Sequence, residues 1–440
     1  MRPQGWSRLL VLAVFATAAC TRVQATIDGG RGERRAYLED AAFRRDALVA
    51  SLATTRNRYA ETRLEHYARA GVGGWDALPE WNPRAEPIAA AELEASGGAD
   101  LRSPLGGTAR PLAIAGDARL ADDVAALIDL GRRAFFRYPV QLAPIADRTI
   151  THARADAAGL WRDDEGGLGG LVRTAMADGT VRAEMTCATC HAAPGADGRL
   201  IAGKPNAALD LTAMIAPGAP GGERVARGPG GGRGRVAVSP GEEAAPVRIP
   251  DLRPTRWLTH LQADGAVVQR DLVALAIRIE TLIITAHDAH LRPPRVVALG
   301  LAAYLWSLSA SVPPIDAPLT AEAAAGRSIF AAHCQQCHDG PGLTGPPRDV
   351  RAIGTDPAAG LSADRGTGFY RVPSLRGLAS RGPLLHDGSL ASPADLLDGA
   401  RVQPGFTRAL HGPGPVPGHL FGLSFDAGER RQVLAYLATL

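Results

Sequence analysis

Two segments of this chain share a five-residue pattern in which two cysteines, separated by two residues, are followed directly by a histidine. Two thiols at this spacing can form thioethers to the vinyl groups of a porphyrin, while the adjoining imidazole binds the iron. We therefore expect the chain to fold around two covalently attached c-type haems. The first motif is Cys187-Ala188-Thr189-Cys190-His191 and the second motif is Cys334-Gln335-Gln336-Cys337-His338.

A C-x-x-C pair is also found in redox-active dithiols, in structural disulfides and as half of a zinc site. None of these needs the histidine. His accounts for 11 of 440 residues, so the odds of His following both pairs by chance are roughly one in 1,600. A four-cysteine zinc site usually has its pairs about 15–20 residues apart, whereas Cys190 and Cys334 are 144 positions apart. The pattern favours haem, with His191 and His338 on the two irons.

The composition argues against nucleic acid as a partner, and one cysteine lies outside the two motifs. The chain has 48 Lys and Arg against 45 Asp and Glu, a net charge of +3, without the basic block typical of nucleic-acid binding. Of five cysteines the motifs use four, and the fifth is Cys20.

Cys20 ends an N-terminal segment that resembles an export signal. Arg2 and Arg8 precede an apolar run over 9–19, which is too short to cross a bilayer at about 20 residues. The residues before Cys20 resemble a bacterial lipoprotein cleavage box, although Thr17 stands where that pattern usually has Leu. Ordinary cleavage after Ala18 is the alternative. We expect a periplasmic protein of a Gram-negative bacterium, anchored to the membrane by a lipid on Cys20.

Periodicity predicts a mainly α fold with a helical N-terminal extension. The resemblance of both haem motifs and of the helix before the second motif to class I cytochromes c implies two class I cytochrome c-like domains after that extension. Residues 34–70 lack Pro and Gly and read as one or two amphipathic helices, and further helices are predicted over 121–137, 272–284, 296–308 and 321–333. A Gly-rich turn is predicted over 166–170. The predicted divisions are a signal peptide at 1–20, an extension and linker at 21–120, a first cytochrome c-like domain at 121–312 with a Gly- and Pro-rich surface insertion at 217–250, and a second domain at 313–440.

Short repeats indicate an internal duplication with one haem per copy. Ala303-Tyr304-Leu305 is followed by Leu308, and Ala435-Tyr436-Leu437 is followed by Leu440, at similar distances after the two motifs. In the helix before the second motif, Gly326 and Phe330 are spaced i, i+4. This pair resembles the glycine and aromatic with which class I cytochromes c cross their first and last helices.

The chain from residue 320 to residue 440 resembles the C-terminal domain of the bacterial dihaem cytochrome c peroxidase superfamily. In the peroxidases a distal Met follows the equivalent of His386 by some fourteen residues, where this chain has Ala400. The rubber oxygenase branch instead takes a distal His from a Gly-His-x-Phe/Tyr-Gly segment, which His419 matches. The resemblance implies that His338 and His419 are axial partners and that His386 lies near the haem edge. The segments that carry the resemblance are Val372-Pro373-Ser374-Leu375-Arg376-Gly377, His386-Asp387-Gly388-Ser389, Asp395-Leu396-Leu397 and Gly418-His419-Leu420-Phe421-Gly422.

The distal ligand of the first haem stays open at this point. The first domain resembles the superfamily at its motif and less specifically at 203–206, and the peroxidase distal His would fall on Ala207. His260 lies near the position at which class I cytochromes place their distal ligand, and an open iron is the other possibility. The remaining candidates downstream are Met214, His287 and His290.

Two classes of function follow from these expectations. An exported dihaem cytochrome would transfer electrons to or from a redox protein or a small molecule, with one haem reactive toward peroxide. The alternative is a haem-dependent peroxidase or a dioxygenase of the rubber oxygenase-like type, which needs an open iron and acid–base groups beside it. No motif marks a catalytic acid.

Overall fold

The structure is a computed structural model, and it describes residues 30–67, 74–94, 97–107, 109–112, 118–143, 148–176, 178–214, 232–237, 245–287 and 290–440. The predicted signal peptide, Cys20 and most of the predicted insertion lie outside these residues. Helices form most of the regular structure that is described, as predicted. The assignment of both halves to class I cytochrome c domains stays a prediction.

Thirteen α-helices are described, and six of them, α3, α4, α8, α9, α10 and α13, carry most of the argument below. In chain order the helices are α1 Arg31–Glu39, α2 Ala41–Ser51, α3 Arg58–Tyr67, α4 Val124–Arg137, α5 His152–Ala157, α6 Cys187–His191, α7 Leu211–Met214, α8 Leu272–Ala286, α9 Arg295–Ser307, α10 Ala321–His333, α11 Val350–Ile353, α12 Pro393–Leu396 and α13 Ala427–Leu437.

Strands are short, apart from the central strand of one four-stranded antiparallel sheet with the order β1-β5-β6-β3. The other strands pair as two-stranded ribbons, β2 with β4, β7 with β8, β9 with β10, β11 with β12 and β13 with β14. In chain order the strands are β1 Ala85–Ala89, β2 Ala99–Asp100, β3 Gln141–Leu142, β4 Thr149–Ile150, β5 Gly167–Ala175, β6 Val181–Met185, β7 Ala192–Pro194, β8 Leu200–Ala202, β9 Arg235–Val236, β10 Val247–Arg248, β11 His260–Leu261, β12 Val267–Val268, β13 Arg348–Asp349 and β14 Phe369–Tyr370.

The second half of the chain is built on the crossing of α10 and α13. The Thr320 side chain caps α10 by accepting from the N–H of Ala323. A Cβ on Gly326 would lie 1.9 Å from the carbonyl oxygen of Gln432, so the two backbones approach as closely as only glycine allows. The rings of Phe330 and Tyr436 pack edge to face with centroids 5.2 Å apart.

The first half repeats this crossing with α4 and α9. A Cβ on Gly131 would lie 1.9 Å from the carbonyl oxygen of Gly300. Phe135, four residues after Gly131, packs edge to face on Tyr304 with centroids 5.5 Å apart. The same glycine, aromatic and tyrosine therefore join the first and last helices of both halves.

The sheet corrects the predicted Gly-rich turn over 166–170. The turn prediction is wrong from Gly167 onward, because Gly167 begins β5, whose residues are almost all buried. Gly169 and Gly170 adopt positive φ, and a Cβ on Gly170 would meet the backbone nitrogen of Thr189 at 2.8 Å. Glycine here permits close contact with the first motif rather than a chain reversal.

The N-terminal extension forms three helices, and hydrogen bonds join it to both halves. Tyr37 on α1 donates to Oε2 of Glu280 on α8 at 2.7 Å, and the pair is buried. Just before α3, Asn57 donates to the carbonyl oxygen of Arg365 at 2.8 Å. The extension is therefore part of the fold around the motifs.

The described parts of the predicted insertion, residues 232–237 and 245–250, do not form a separate surface segment. Residues 235–236 and 247–248 pair as β9 and β10, and the N–H of Arg248 donates to the carbonyl oxygen of His386 at 2.9 Å. The segment thus contacts the second half of the chain.

In the part of the chain that the structure describes, no helix is both long and apolar enough to cross a membrane.

Candidate functional site

Both motifs open onto one internal cavity of about 480 Å³. All four motif cysteines line it, together with His191 and His338. Its walls come from β3, β6, α8, α10, α13 and the loops between β14 and α13, and most lining side chains are apolar. An apolar internal space reached by both C-x-x-C-H segments is what two porphyrins require.

The sheet fixes the first motif. The carbonyl oxygen of Gly170 in β5 accepts from Oγ1 of Thr186 at 2.9 Å and from Oγ1 of Thr189 at 3.0 Å. On the other side, Gly203 donates to the carbonyl oxygen of His191 at 2.7 Å, and Asn206 donates to that of Cys190 at 2.9 Å. The segment 203–206, which matched the superfamily weakly in sequence, therefore holds the end of the motif helix.

His191 is oriented by the backbone. Its Nδ1 lies 3.1 Å from the carbonyl oxygen of Pro250. A carbonyl can only accept, so Nδ1 carries the proton and Nε2 keeps its lone pair. Burial lowers the pKa of His191 to about 4, which keeps the ring neutral. A neutral imidazole with a free Nε2 is the form that binds iron.

In the second motif the histidine is also oriented by a backbone carbonyl, but a helix rather than a sheet positions the motif. It follows α10 directly, and the N–H of Cys334 donates to the carbonyl oxygen of Phe330 at 2.8 Å. Nδ1 of His338 lies 3.2 Å from the carbonyl oxygen of Leu343, a residue with φ of 45°. Burial lowers the pKa of His338 to about 4. Both motif histidines thus present a neutral Nε2.

His419 is brought close to His338. Both line the cavity, and the electrostatic influence of His419 contributes to the lowered pKa of His338. The N–H of His419 donates to the carbonyl oxygen of Ile353 at 2.8 Å, and its φ is 44°. Its Nδ1 is buried without a hydrogen bond to any described residue. A buried imidazole held in a strained conformation beside His338 fits the predicted axial partner.

Arg401 fixes the segment that carries His419. Its side chain is fully buried and donates to the carbonyl oxygens of Gly418 and His419, each at 2.8 Å. It also donates to the carbonyl oxygens of Leu396 and Val416. Sequence reasoning missed Arg401, and no motif around this residue signals its role.

His386 lines the cavity but is held by an aromatic neighbour. Its ring stacks on Tyr370 with centroids 4.3 Å apart and an interplanar angle of 18°. Burial lowers the pKa of His386. Its position fits the prediction of a residue near a haem edge.

The candidates for a distal ligand of the first haem lie elsewhere. His260 is in β11 with Nδ1 3.1 Å from Oγ1 of Thr259, and it is not among the residues that line the cavity. Met214 is buried in a separate apolar cluster, and His287 lies 4.7 Å from the ring of Trp81, measured between centroids. Neither lines the cavity. The structure therefore does not bring His260, Met214 or His287 to the cavity that holds His191.

The charges of the cavity wall fit two haems. Six arginines and two aspartates line it, a formal excess of four positive charges, and two haems carry four propionates. Buried cations need anionic partners. The arginines are Arg248, Arg278, Arg348, Arg365, Arg371 and Arg381, and the aspartates are Asp251 and Asp264.

The state of the motif cysteines is compatible with haem attachment. None of the four motif cysteines forms a disulfide in the structure. Burial raises the pKa of Cys187 and of Cys190 to about 12 and that of Cys334 to about 11. Among the described residues, no group of three or more His, Cys, Asp or Glu side chains is arranged to hold a metal ion directly.

Comparisons with known proteins give structural likeness of low degree. No family model and no curated protein matches the chain. A MauG-like protein associated with microbial copper homeostasis is 17% identical, with a TM-score of 0.35, over 69% of this chain and 93% of its own. A dihaem peroxidase from Burkholderia thailandensis is 16% identical, with a TM-score of 0.35, over 82% and 93%. Hydrazine synthase from Kuenenia stuttgartiensis is 14% identical, with a TM-score of 0.35, over 83% and 97%. At these scores the function must be argued from the site itself.

Proposed function

We propose that this protein is an exported dihaem c-type cytochrome that transfers electrons, and that its first haem is also reactive toward peroxide. The observation that carries the proposal is the single cavity onto which both motifs open, with each motif histidine held as the neutral tautomer whose Nε2 is free. Bound haem would supply the redox chemistry, and the protein would set its potential through ligation, burial and charge.

The two sites differ in what the chain offers to the sixth position of the iron. The second site has His338 and His419 close together, and two imidazoles give a low-spin centre suited to electron transfer. Of the residues that the first half brings to the cavity, His191 is the imidazole. A haem held by His191 would therefore be the centre more accessible to small molecules.

A second candidate function, a haem-dependent peroxidase or dioxygenase of the rubber oxygenase-like type, is favoured by Asp264. This carboxyl lines the same cavity, and burial raises its pKa to about 6. Arg278 lies near it, with Nη1 buried and without a hydrogen bond to any described residue. An acid that titrates near neutral pH beside a cation can move a proton during peroxide cleavage.

Two measurements test the proposal. A pyridine haemochrome assay of denatured protein should give two covalent haems per chain, and one or none contradicts the proposal. Carbon monoxide should bind to about one ferrous haem per chain. Absence of binding would leave electron transfer as the function, and peroxide turnover lost specifically in Asp264→Asn would favour the enzyme.

We further propose that a redox protein or small molecule exchanges electrons with the haems in the periplasm, and that a lipid on Cys20 anchors the chain to the membrane. The predicted export signal and the unused cysteine support this. Intact-mass analysis of membrane-extracted protein should show a diacylglyceryl adduct on Cys20. A soluble product from which Cys20 has been removed would contradict the anchor.

A further inference from the structure

We propose that Arg248, Arg371 and Arg381 form one carboxylate-binding group, shared by the propionates of both haems, that couples their reduction potentials. This junction arginine group lies where the two halves of the chain meet. Arg248 belongs to β10 in the first half, whereas Arg371 follows β14 and Arg381 lies further along the second half. The inference rests on the proposed function, because it requires both haems to be bound.

The group surrounds a small polar space between the two motif sites. All three arginines line the large cavity, and all three also line a second cavity of about 10 Å³ together with Asp251, Pro373 and Ser374. That volume is close to what one water molecule occupies. The arginines therefore share one polar environment below the surface of the protein.

Among the described residues, no carboxylate forms an ion pair with Arg248 or Arg371, although Asp387 and Asp264 influence them from further away. Asp251 lines the small cavity with them, but Arg253 occupies it through Nη2 at 2.6 Å and Nε at 3.0 Å. Nε of Arg381 lies 3.8 Å from Oδ2 of Asp251. No described residue accepts a hydrogen bond from the side chain of Arg371, which leaves it available for an additional anion.

Mutual repulsion supports the same conclusion. Burial, together with like-charge repulsion from Arg381 and Arg371, lowers the pKa of Arg248 to about 9. Burial and Arg381 lower the pKa of Arg371 to about 10. Three clustered cations below the surface are costly unless carboxylates neutralise them. The propionates of the bound haems are carboxylates on the ligands that this cavity is shaped to hold.

The group connects the surroundings of the two motif histidines. His191 donates to the carbonyl oxygen of Pro250, and Asp251 follows in the chain. Arg381, which is close to Asp251, donates to the carbonyl oxygen of Ser374 and contributes to the lowered pKa of His338. An electron added to one haem would therefore be felt at the other through shared cations at short range.

The test is a spectroelectrochemical titration of the purified dihaem protein and of Arg371→Gln. Loss of one buried cation stabilises the oxidised form of both haems. We expect each reduction equilibrium to fall about tenfold, which is about 59 mV for a one-electron couple. Arg371→Lys keeps the charge and should restore most of the shift. Arg376→Gln is the control, because Arg376 is a buried arginine of the same segment that lines neither cavity, and it should leave both potentials in place.

A shift confined to one haem, no shift, or an equal shift in Arg376→Gln would overturn the shared group. Potentials of the unmodified protein that change on addition of acetate or succinate would show that a free carboxylate, not a propionate, binds there. If Arg371→Gln does not fold, Arg248→Gln is titrated against the same control. A haem count below two in the unmodified protein would contradict the proposed function instead, so the two failures are distinguishable.

Discussion

The two motif sites are equivalent in their cysteines and proximal histidines but differ in what surrounds them. At the second site His419 lines the same cavity wall as His338, and a buried arginine and a strained backbone fix its position. The first site rests on a sheet, and the predicted distal candidates of its own half lie away from the cavity. The difference teaches that the two halves share the segment that would attach a haem, while the loops that follow differ in the side chains that they bring beside it.

The largest effect should come from removing each motif in turn. Replacing both cysteines of the first motif by alanine should reduce the covalent haem count from two to one, and the same change at the second motif should do likewise. The pyridine haemochrome assay measures the count. If either double variant still carries two haems, the attachment sites are assigned wrongly.

His419→Ala should remove the asymmetry between the sites. Its loss should convert the second haem from low spin to high spin, because the iron loses one imidazole, and should raise carbon monoxide binding from about one to about two per chain. Optical and electron paramagnetic resonance spectra measure the change. His411→Ala, which alters an exposed imidazole bonded to the carbonyl oxygen of Asp387, is the control. A shift in His386→Ala and not in His419→Ala would assign the ligand to His386.

Arg401 sharpens the comparison because the first site has no described counterpart of its three bonds to the loop at 416–419 and its fourth bond to Leu396 in α12. Arg401→Gln leaves buried carbonyl oxygens without donors and should lower the free energy of unfolding by about 3 kcal/mol. Arg408→Gln changes an exposed residue that pairs with Asp395 and Asp398, and it should cost at most about 1 kcal/mol. Chemical denaturation monitored at the haem band measures both. Equal losses would contradict the role given to Arg401.

The smallest effects on stability should come from the close helix crossing that the two halves share. Gly131→Ala and Gly326→Ala should each lower the free energy of unfolding by about 1–3 kcal/mol, because the added methyl meets a backbone carbonyl of the facing helix. Gly32→Ala is the matched control, since a Cβ there meets nothing within 4 Å, and alanine should be neutral or stabilising in that helix. Destabilisation in only one half would show that the crossings are not equivalent.

Local patterns were sufficient for much of the fold. The helices at 272–286, 295–307 and 321–333 follow the predicted spans closely because apolar periodicity and caps such as Thr320 are local signals. The Gly131 and Phe135 pair could have been found by the i, i+4 spacing that identified Gly326 and Phe330. The β5 strand was missed because its glycines serve contact with the first motif, which local sequence does not encode.

The site was predictable where one segment carries the chemistry and not where distant segments converge. Both motifs and His419 were named from short patterns, and the structure places all of them on one cavity, while their roles as haem ligands stay predictions. The junction arginine group comes from residues 248, 371 and 381, which only folding makes neighbours. For the same reason, the placement of His260 away from the cavity could not be read from its distance along the chain.

The burial of the motif cysteines has a consequence for how the protein is made. A thiol attacks or adds as its thiolate, and in the folded chain burial raises the pKa of Cys187, Cys190 and Cys334 far above neutral pH. The cavity that they line is bounded by segments from both halves of the chain. Thioether bonds to the proposed haems would therefore have to form while the chain is still open. In that order of events attachment would precede folding, and the two halves would close around haems already in place.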